Sequence, residues 1–151
     1  MLFRSHGRFP EAEENIKNCS GSALEYAKTI IRNRWEEAEP IIAKDAENAY
    51  DYALNLIGGR FLLAEDQIKK SIKLCYQYVQ NIVKGRWKEG ELAFLNGNKS
   101  SLEYCIRYKV KLPEEIHNKV MAEVALSDKM KNQSLKRTYM IYVQSYKNAG
   151  E

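Results

Sequence analysis

Arginine followed by an aromatic residue occurs at Arg8-Phe9, Arg34-Trp35, Arg60-Phe61 and Arg86-Trp87, the four arginines standing 26 residues apart each time. The same step carries Glu13 to Glu39, Glu65 and Glu91, and Ile16 to Ile42, Ile68 and Phe94. It also carries Tyr26 to Tyr52, Tyr78 and Tyr104, and Ala27 to Ala53, Val79 and Cys105. A gapless period over so many columns constrains the fold more than composition can. A unit this short cannot enclose a core of its own and has to bury its apolar face on its neighbours. Four such units cover residues 7–111.

Each unit reads as two helices. The first is short, as in Glu36 to Ala43; its acids crowd the N-terminal end, where the helix dipole favours them, and Pro40 is tolerable only near a helix start. The second is longer. Ser22-x-x-Glu25 and Ser100-x-x-Glu103, three periods apart, have the form of a capping box, and Ala23, Tyr26, Ala27, Ile30 and Ile31 share one face at helical spacing. The helix is expected to stop where Asn33, Gly59 or Gly85 takes the left-handed conformation. Eight glycines and three prolines are too few for a turn-rich β-sandwich, and the dense Leu-x-x-Leu-x-Leu pattern of strand-bearing horseshoes is missing. The expected fold is therefore all-α: an α-solenoid of about four two-helix repeats, then C-terminal capping helices over 112–151, in a single domain. Within the cap, Pro113 opens a helix running to about Leu126. Ser127 or Asp128 then caps a last helix bearing Tyr139, Met140, Tyr142, Val143 and Tyr146. At the other end only Met1, Leu2 and Phe3 are on hand to cover the first unit.

The run Gly-Arg-Trp-x-Glu-x-Glu followed by Tyr-x-Tyr-Ala resembles the short tandem helical repeats of tailed-phage and other viral proteins. The match is clearest over Asn33-Arg34-Trp35-Glu36-Glu37-Ala38-Glu39-Pro40 and Gly85-Arg86-Trp87-Lys88-Glu89-Gly90-Glu91. The third unit departs from it with Leu62-Leu63 where acid is usual, and the fourth has Gly90 in place of the small alanine. The resemblance covers about two-thirds of the chain and implies architecture and a phage origin, hence a place in the host-cell cytoplasm. It brings no activity to any residue.

Whatever recurs in every unit is most simply explained by stacking, the task all units share; function is better sought where units differ on a common surface. The arginine column (Arg8, Arg34, Arg60, Arg86) travels with an acid five residues on (Glu13, Glu39, Glu65, Glu91), which favours an ion pair over a ladder of phosphate contacts. The tyrosine column (Tyr26, Tyr52, Tyr78, Tyr104) shares a helix face with Ala and Ile, which favours core rings with hydroxyls at the rim over a stacking platform for bases. Cys75 and Cys105 stand where sibling units have alanine and read as small core residues.

Charge is where the units disagree. The second unit carries two basic and six acidic residues; the third carries five and two, the fourth six and three. Polar positions on the long helices form further columns, Thr29-Asn55-Asn81-Arg107 and Glu25-Asp51-Gln77-Glu103. From these differences the candidate partner-binding residues are Asn55, Lys70, Lys73, Gln77, Asn81, Lys84 and Arg107.

Catalytic parts are missing: there is no phosphate-cradling glycine loop, nucleophile elbow or His-Glu-x-x-His. His6 and His117 are the only histidines, and three cysteines (Cys19, Cys75, Cys105) lack metal-ligand spacing, which suits reduced thiols in a cytosol. Arg4 interrupts any signal-type apolar core, and no apolar run approaches the roughly 18 residues of a membrane span. The sequence thus reads as a non-enzymatic, cofactor-free, cytoplasmic module that binds another protein, a phage-encoded modulator or inhibitor of a host protein. The alternative is a nucleic-acid-binding module using the basic third and fourth repeats, and self-association through Leu2 and Phe3 is a third reading.

Overall fold

The structure is a computed structural model that describes residues 7–126 and 132–147. The expectations placed on Met1, Leu2, Phe3, His6, Ser127 and Asp128 lie outside these. All regular structure among the described residues is helical. The chain divides into two compact units, Met1–Gly90 and Glu91–Glu151. Among the described residues no helix is long and apolar enough to cross a membrane.

In the first unit one motif is built three times. Helix α1 (Pro10–Ile16) is followed by α2 (Ser20–Tyr26), which runs on into a π-helical turn (Ala27–Ile31). A 3-10 turn (Glu36–Ala38) leads into α3 (Glu39–Ile42), and α4 (Ala46–Tyr52) ends in the π turn Ala53–Ile57. The 3-10 turn Leu62–Ala64 then leads into α5 (Glu65–Ile68), and α6 (Ile72–Tyr78) ends in the π turn Val79–Val83. Long helix packs on long helix, α2 on α4 and α4 on α6. Their shared seam is filled by the recurring apolar columns: Ala23, Ala49 and Cys75, and Ile42 and Ile68, all fully buried. At Gly90, which stands where the second and third repeats have alanine, an added Cβ would lie 2.3 Å from the Trp87 ring, so the indole comes closer to the backbone than a side chain there would allow.

Both ends of the long helices differ from the sequence expectation. The left-handed residues are Arg32, Gly58 and Lys84, one position before Asn33, Gly59 and Gly85. The reason is the π turn. The N–H of Arg32 reaches back five residues to Ala27 (2.7 Å), as Gly58 does to Ala53 (2.8 Å) and Lys84 to Val79 (2.7 Å), and the left-handed residue is itself the donor. At the other end Ser22 and Ser100 lie inside the first turn rather than at the cap. The N-cap residues are Cys19, Asp45, Ser71 and Asn98, with the Asp45, Ser71 and Asn98 side chains accepting from N–H groups three residues on.

The second unit holds α7 (Glu91–Phe94), α8 (Lys99–Tyr108), α9 (Glu114–Leu126) and α10 (Gln133–Lys147). Helix α10 packs chiefly on α8 and also on α9. Phe94, Leu102, Cys105, Val120 and Tyr142 are buried among them, and the Leu112 N–H donates to the Tyr142 hydroxyl (3.0 Å).

Candidate partner-binding surface

The recurring columns meet in one hydrogen-bonded cluster per repeat. In the first, Arg8 donates through Nε and Nη2 to the two carboxylate oxygens of Glu13, both at 2.8 Å. The Tyr26 hydroxyl donates to Glu13 Oε1 (3.0 Å) and accepts the backbone N–H of Phe9 (2.7 Å). The second repeat repeats this with Arg34 on Glu39 (2.9 and 3.0 Å), Tyr52 on Glu39 (2.9 Å) and the Trp35 N–H on Tyr52 (2.7 Å). The third does so with Arg60 on Glu65 (2.8 and 2.8 Å), Tyr78 on Glu65 (2.9 Å) and the Phe61 N–H on Tyr78 (2.8 Å). In the second unit Tyr104 donates to Glu91 (3.0 Å).

Tyr26, Tyr52 and Tyr78 each also pack on the aromatic that opens the next repeat. Ring centroids are 5.1 Å apart for Tyr26–Trp35, 5.4 Å for Tyr52–Phe61 and 5.0 Å for Tyr78–Trp87. One side chain therefore closes its own repeat with the hydroxyl and grips its neighbour with the ring. The hydroxyls are not at a rim, as the sequence suggested: Tyr52 and Tyr78 are 0% exposed. The backbone N–H between two helices has no ladder partner and needs an acceptor, and the tyrosine oxygen supplies it.

Electrostatics follow this geometry. Paired to Arg8, the Glu13 carboxyl sits below its ordinary pKa. Burial pushes Glu65 upward, but bonds from Arg60, Tyr78 and Trp87 outweigh it and its pKa also ends below the ordinary value. Burial pushes Tyr52 up to about 12 and raises Tyr78 as well. The buried Cys75 thiol is pushed up to about 11, so it is an inert core group at neutral pH. Among the described residues no cluster of three or more His, Cys, Asp or Glu is placed to hold a metal ion.

The candidate partner-binding residues divide between the units. Lys70 precedes the Ser71 cap of α6; Lys73, Gln77 and Asn81 follow at spacings of four, which keeps them on one stripe of that helix and its π turn, and Lys84 is the left-handed residue that ends the turn. All but the half-buried Gln77 are exposed. Asn55 is exposed on the π turn that ends α4, and Arg107 is exposed on α8 in the second unit. Two of the amides are already engaged. Asn81 Nδ2 donates to the Tyr50 hydroxyl across the repeat boundary (2.8 Å), and Asn55 Nδ2 donates to Asp51. Asp51 also takes Lys28 Nζ from the previous repeat at 3.0 Å, a bond that raises the lysine pKa. The Asn81–Tyr50 and Lys28–Asp51 bonds tie neighbouring repeats together, and Lys70, Lys73 and Lys84 are the exposed cations on or beside the stripe.

Sequence reasoning singled out Leu62-Leu63 as a departure from an acidic column and drew nothing from it. The structure places both at the start of a 3-10 turn, 70% and 59% exposed. Glu36 and Glu37 occupy the same place in the second repeat and are also exposed. The signal was present: one repeat shows an apolar pair where the shared backbone asks for none. Compared with models of known protein families, with curated proteins and with solved structures, the chain matches none.

Proposed function

We propose that the chain is a non-enzymatic α-solenoid, its repeats continuing through residue 111 and closed by the C-terminal helices, that binds another protein. Leu62 and Leu63 form the centre of the contact and Lys70, Lys73 and Lys84 its charged margin. On the resemblance of its repeats, the chain is phage-encoded and acts in the host cytoplasm as a modulator or inhibitor of a host protein. The observation that carries the reading is the exposed leucine pair. Two repeats of equal backbone geometry serve as each other's control, and the second shows that charged residues satisfy this position. Adjacent large apolar side chains left in water are costly to solubility and mark contact surfaces more often than they mark architecture.

The test compares three tagged proteins, the parent, L62E/L63E and K70E/K73E, in nuclease-treated bacterial lysate. Both variants are expected to melt within about 2 °C of the parent, since exposed substitutions change stability by about 0.5 kcal/mol or less. The parent is expected to retain a discrete protein that L62E/L63E loses. Retention of that protein by L62E/L63E would sink the reading. Material removed by nuclease, lost in K70E/K73E and weakening steeply with salt would point instead to nucleic acid.

A further inference from the structure

The second unit holds a cleft of about 640 Å³ between α9, α10 and the segment that enters α9. One wall is aromatic. Tyr139, Tyr142 and Tyr146 follow one another along α10 with centroids 6.2 and 5.0 Å apart, and His117 of α9 packs edge-on against Tyr139 and Tyr142 at 5.8 and 5.9 Å. Leu112, Met121 and Val143 complete the apolar lining. Two hydroxyls of this wall are engaged: the Tyr139 hydroxyl meets His117 Nε2 at 3.0 Å, and the Tyr142 hydroxyl accepts the Leu112 N–H. What faces the space is mostly carbon. Burial raises the Tyr139 and Tyr142 pKa values, so neither phenol brings negative charge at neutral pH.

Formal charge lies only along the lining at Lys111, Lys147 and Glu114, two ammoniums against one carboxylate. Lys111 Nζ stands 5.6 Å from the centre of the Tyr146 ring, at the edge of the aromatic wall. The volume falls in the range of small-molecule sites, which pair an apolar interior with a few charged groups that fix orientation. A packed core leaves few voids larger than a water molecule, and a metal cage would present oxygen and nitrogen rather than ring faces. We propose that this cleft binds a small amphiphilic anion, its apolar body against Tyr139, Tyr142, Tyr146 and Met121 and its anionic head between Lys111 and Lys147. The proposal concerns a different compact unit from the Leu62-Leu63 surface and stands independently of the protein-binding reading.

Calorimetric titration with decanoate and, separately, decyltrimethylammonium tests it, each kept below its micelle concentration so that monomers of similar chain length and opposite head charge are compared. Decanoate is expected to bind with 1:1 stoichiometry and at least tenfold more tightly than the cation. In K111E/K147E, both positions exposed, that order should reverse while the circular dichroism spectrum is unchanged. Met121→Trp, which fills the cleft from a half-exposed position, should abolish binding of both. Equal binding of the two amphiphiles, no 1:1 binding of decanoate, or decanoate binding unaltered in K111E/K147E would each overturn the proposal.

Discussion

Replacing Tyr78 by Phe removes one oxygen and leaves the ring that packs on Trp87, so no cavity complicates the result. The oxygen makes two bonds in a fully buried setting, one accepted from the Phe61 N–H and one donated to the Glu65 carboxylate. Leaving a buried N–H unsatisfied costs about 1–3 kcal/mol, and a bond to a charged group contributes about 1.5–3 kcal/mol. Glu65 keeps Arg60 and the Trp87 indole, at 2.8 and 3.3 Å, so part of the second loss is recovered. The net expectation is about 3 kcal/mol, or a midpoint lowered by about 10 °C. Tyr50→Phe is the control, since its hydroxyl accepts from the exposed Asn81 amide; it should cost about 0.5 kcal/mol. Both tryptophans, Trp35 and Trp87, lie in the first unit, so urea unfolding followed by their fluorescence reports on the right part of the molecule. A double-mutant cycle with Glu65→Gln should give a coupling of at least about 1 kcal/mol. A Tyr78→Phe variant within about 0.5 kcal/mol of the parent, or no worse than Tyr50→Phe, would refute the reasoning.

Gly58→Ala should cost about 1 kcal/mol through its left-handed φ of 68° alone, because no atom lies within 4 Å of the added Cβ; Lys84→Gly, at φ 52°, should be neutral or stabilising in the same denaturation assay. Stability should also depend on pH at both extremes. Glu13 and Glu65 titrate below the ordinary carboxylate value of 4.5 in the folded chain, so their contribution is complete above that pH and is lost as pH falls further; melting curves from pH 7 to 3 should show a midpoint that is flat and then drops. Tyr52 is raised from 10 to about 12, so its contribution is complete below pH 10 and is lost between 10 and 12; a midpoint unchanged across that window would count against the buried hydroxyl.

Much of the architecture is visible in the 26-residue period. Columns of Ala, Ile and Tyr announce which faces are buried, and a spacing of five brings arginine and glutamate within reach across the turn into the short helix. The rest depends on backbone geometry that side chains do not encode. A π turn reaches one residue further back than an α turn, yet no residue type marks it, so Arg32 and Lys84 take the left-handed position that glycine and asparagine one residue later seemed made for. Caps misled for a related reason. Ser22 and Ser100 have the right partner three residues on, but Cys19 and Asn98 already begin those helices, and a capping box buried in the first turn has no free N–H to serve. The tyrosine hydroxyls were misplaced because a helical face predicts where a ring lies, whereas its oxygen follows the one backbone donor left over between helices. The leucine pair needed a solvent exposure, which a sequence column cannot supply.

The central claim is that the recurring columns form an interlocking scaffold, and its most direct test is amide hydrogen exchange at Trp35 and Phe61. Both amides lie between helices, where exchange is ordinarily fast. Because each is bonded to a buried tyrosine oxygen at 2.7 or 2.8 Å, the account predicts protection comparable to that of the long-helix core amides Cys75 and Val79. Tyr52→Phe should release Trp35 selectively, and Tyr78→Phe should release Phe61. Exchange at the rate of an open loop in the parent, or protection that survives the loss of the hydroxyl, would contradict it.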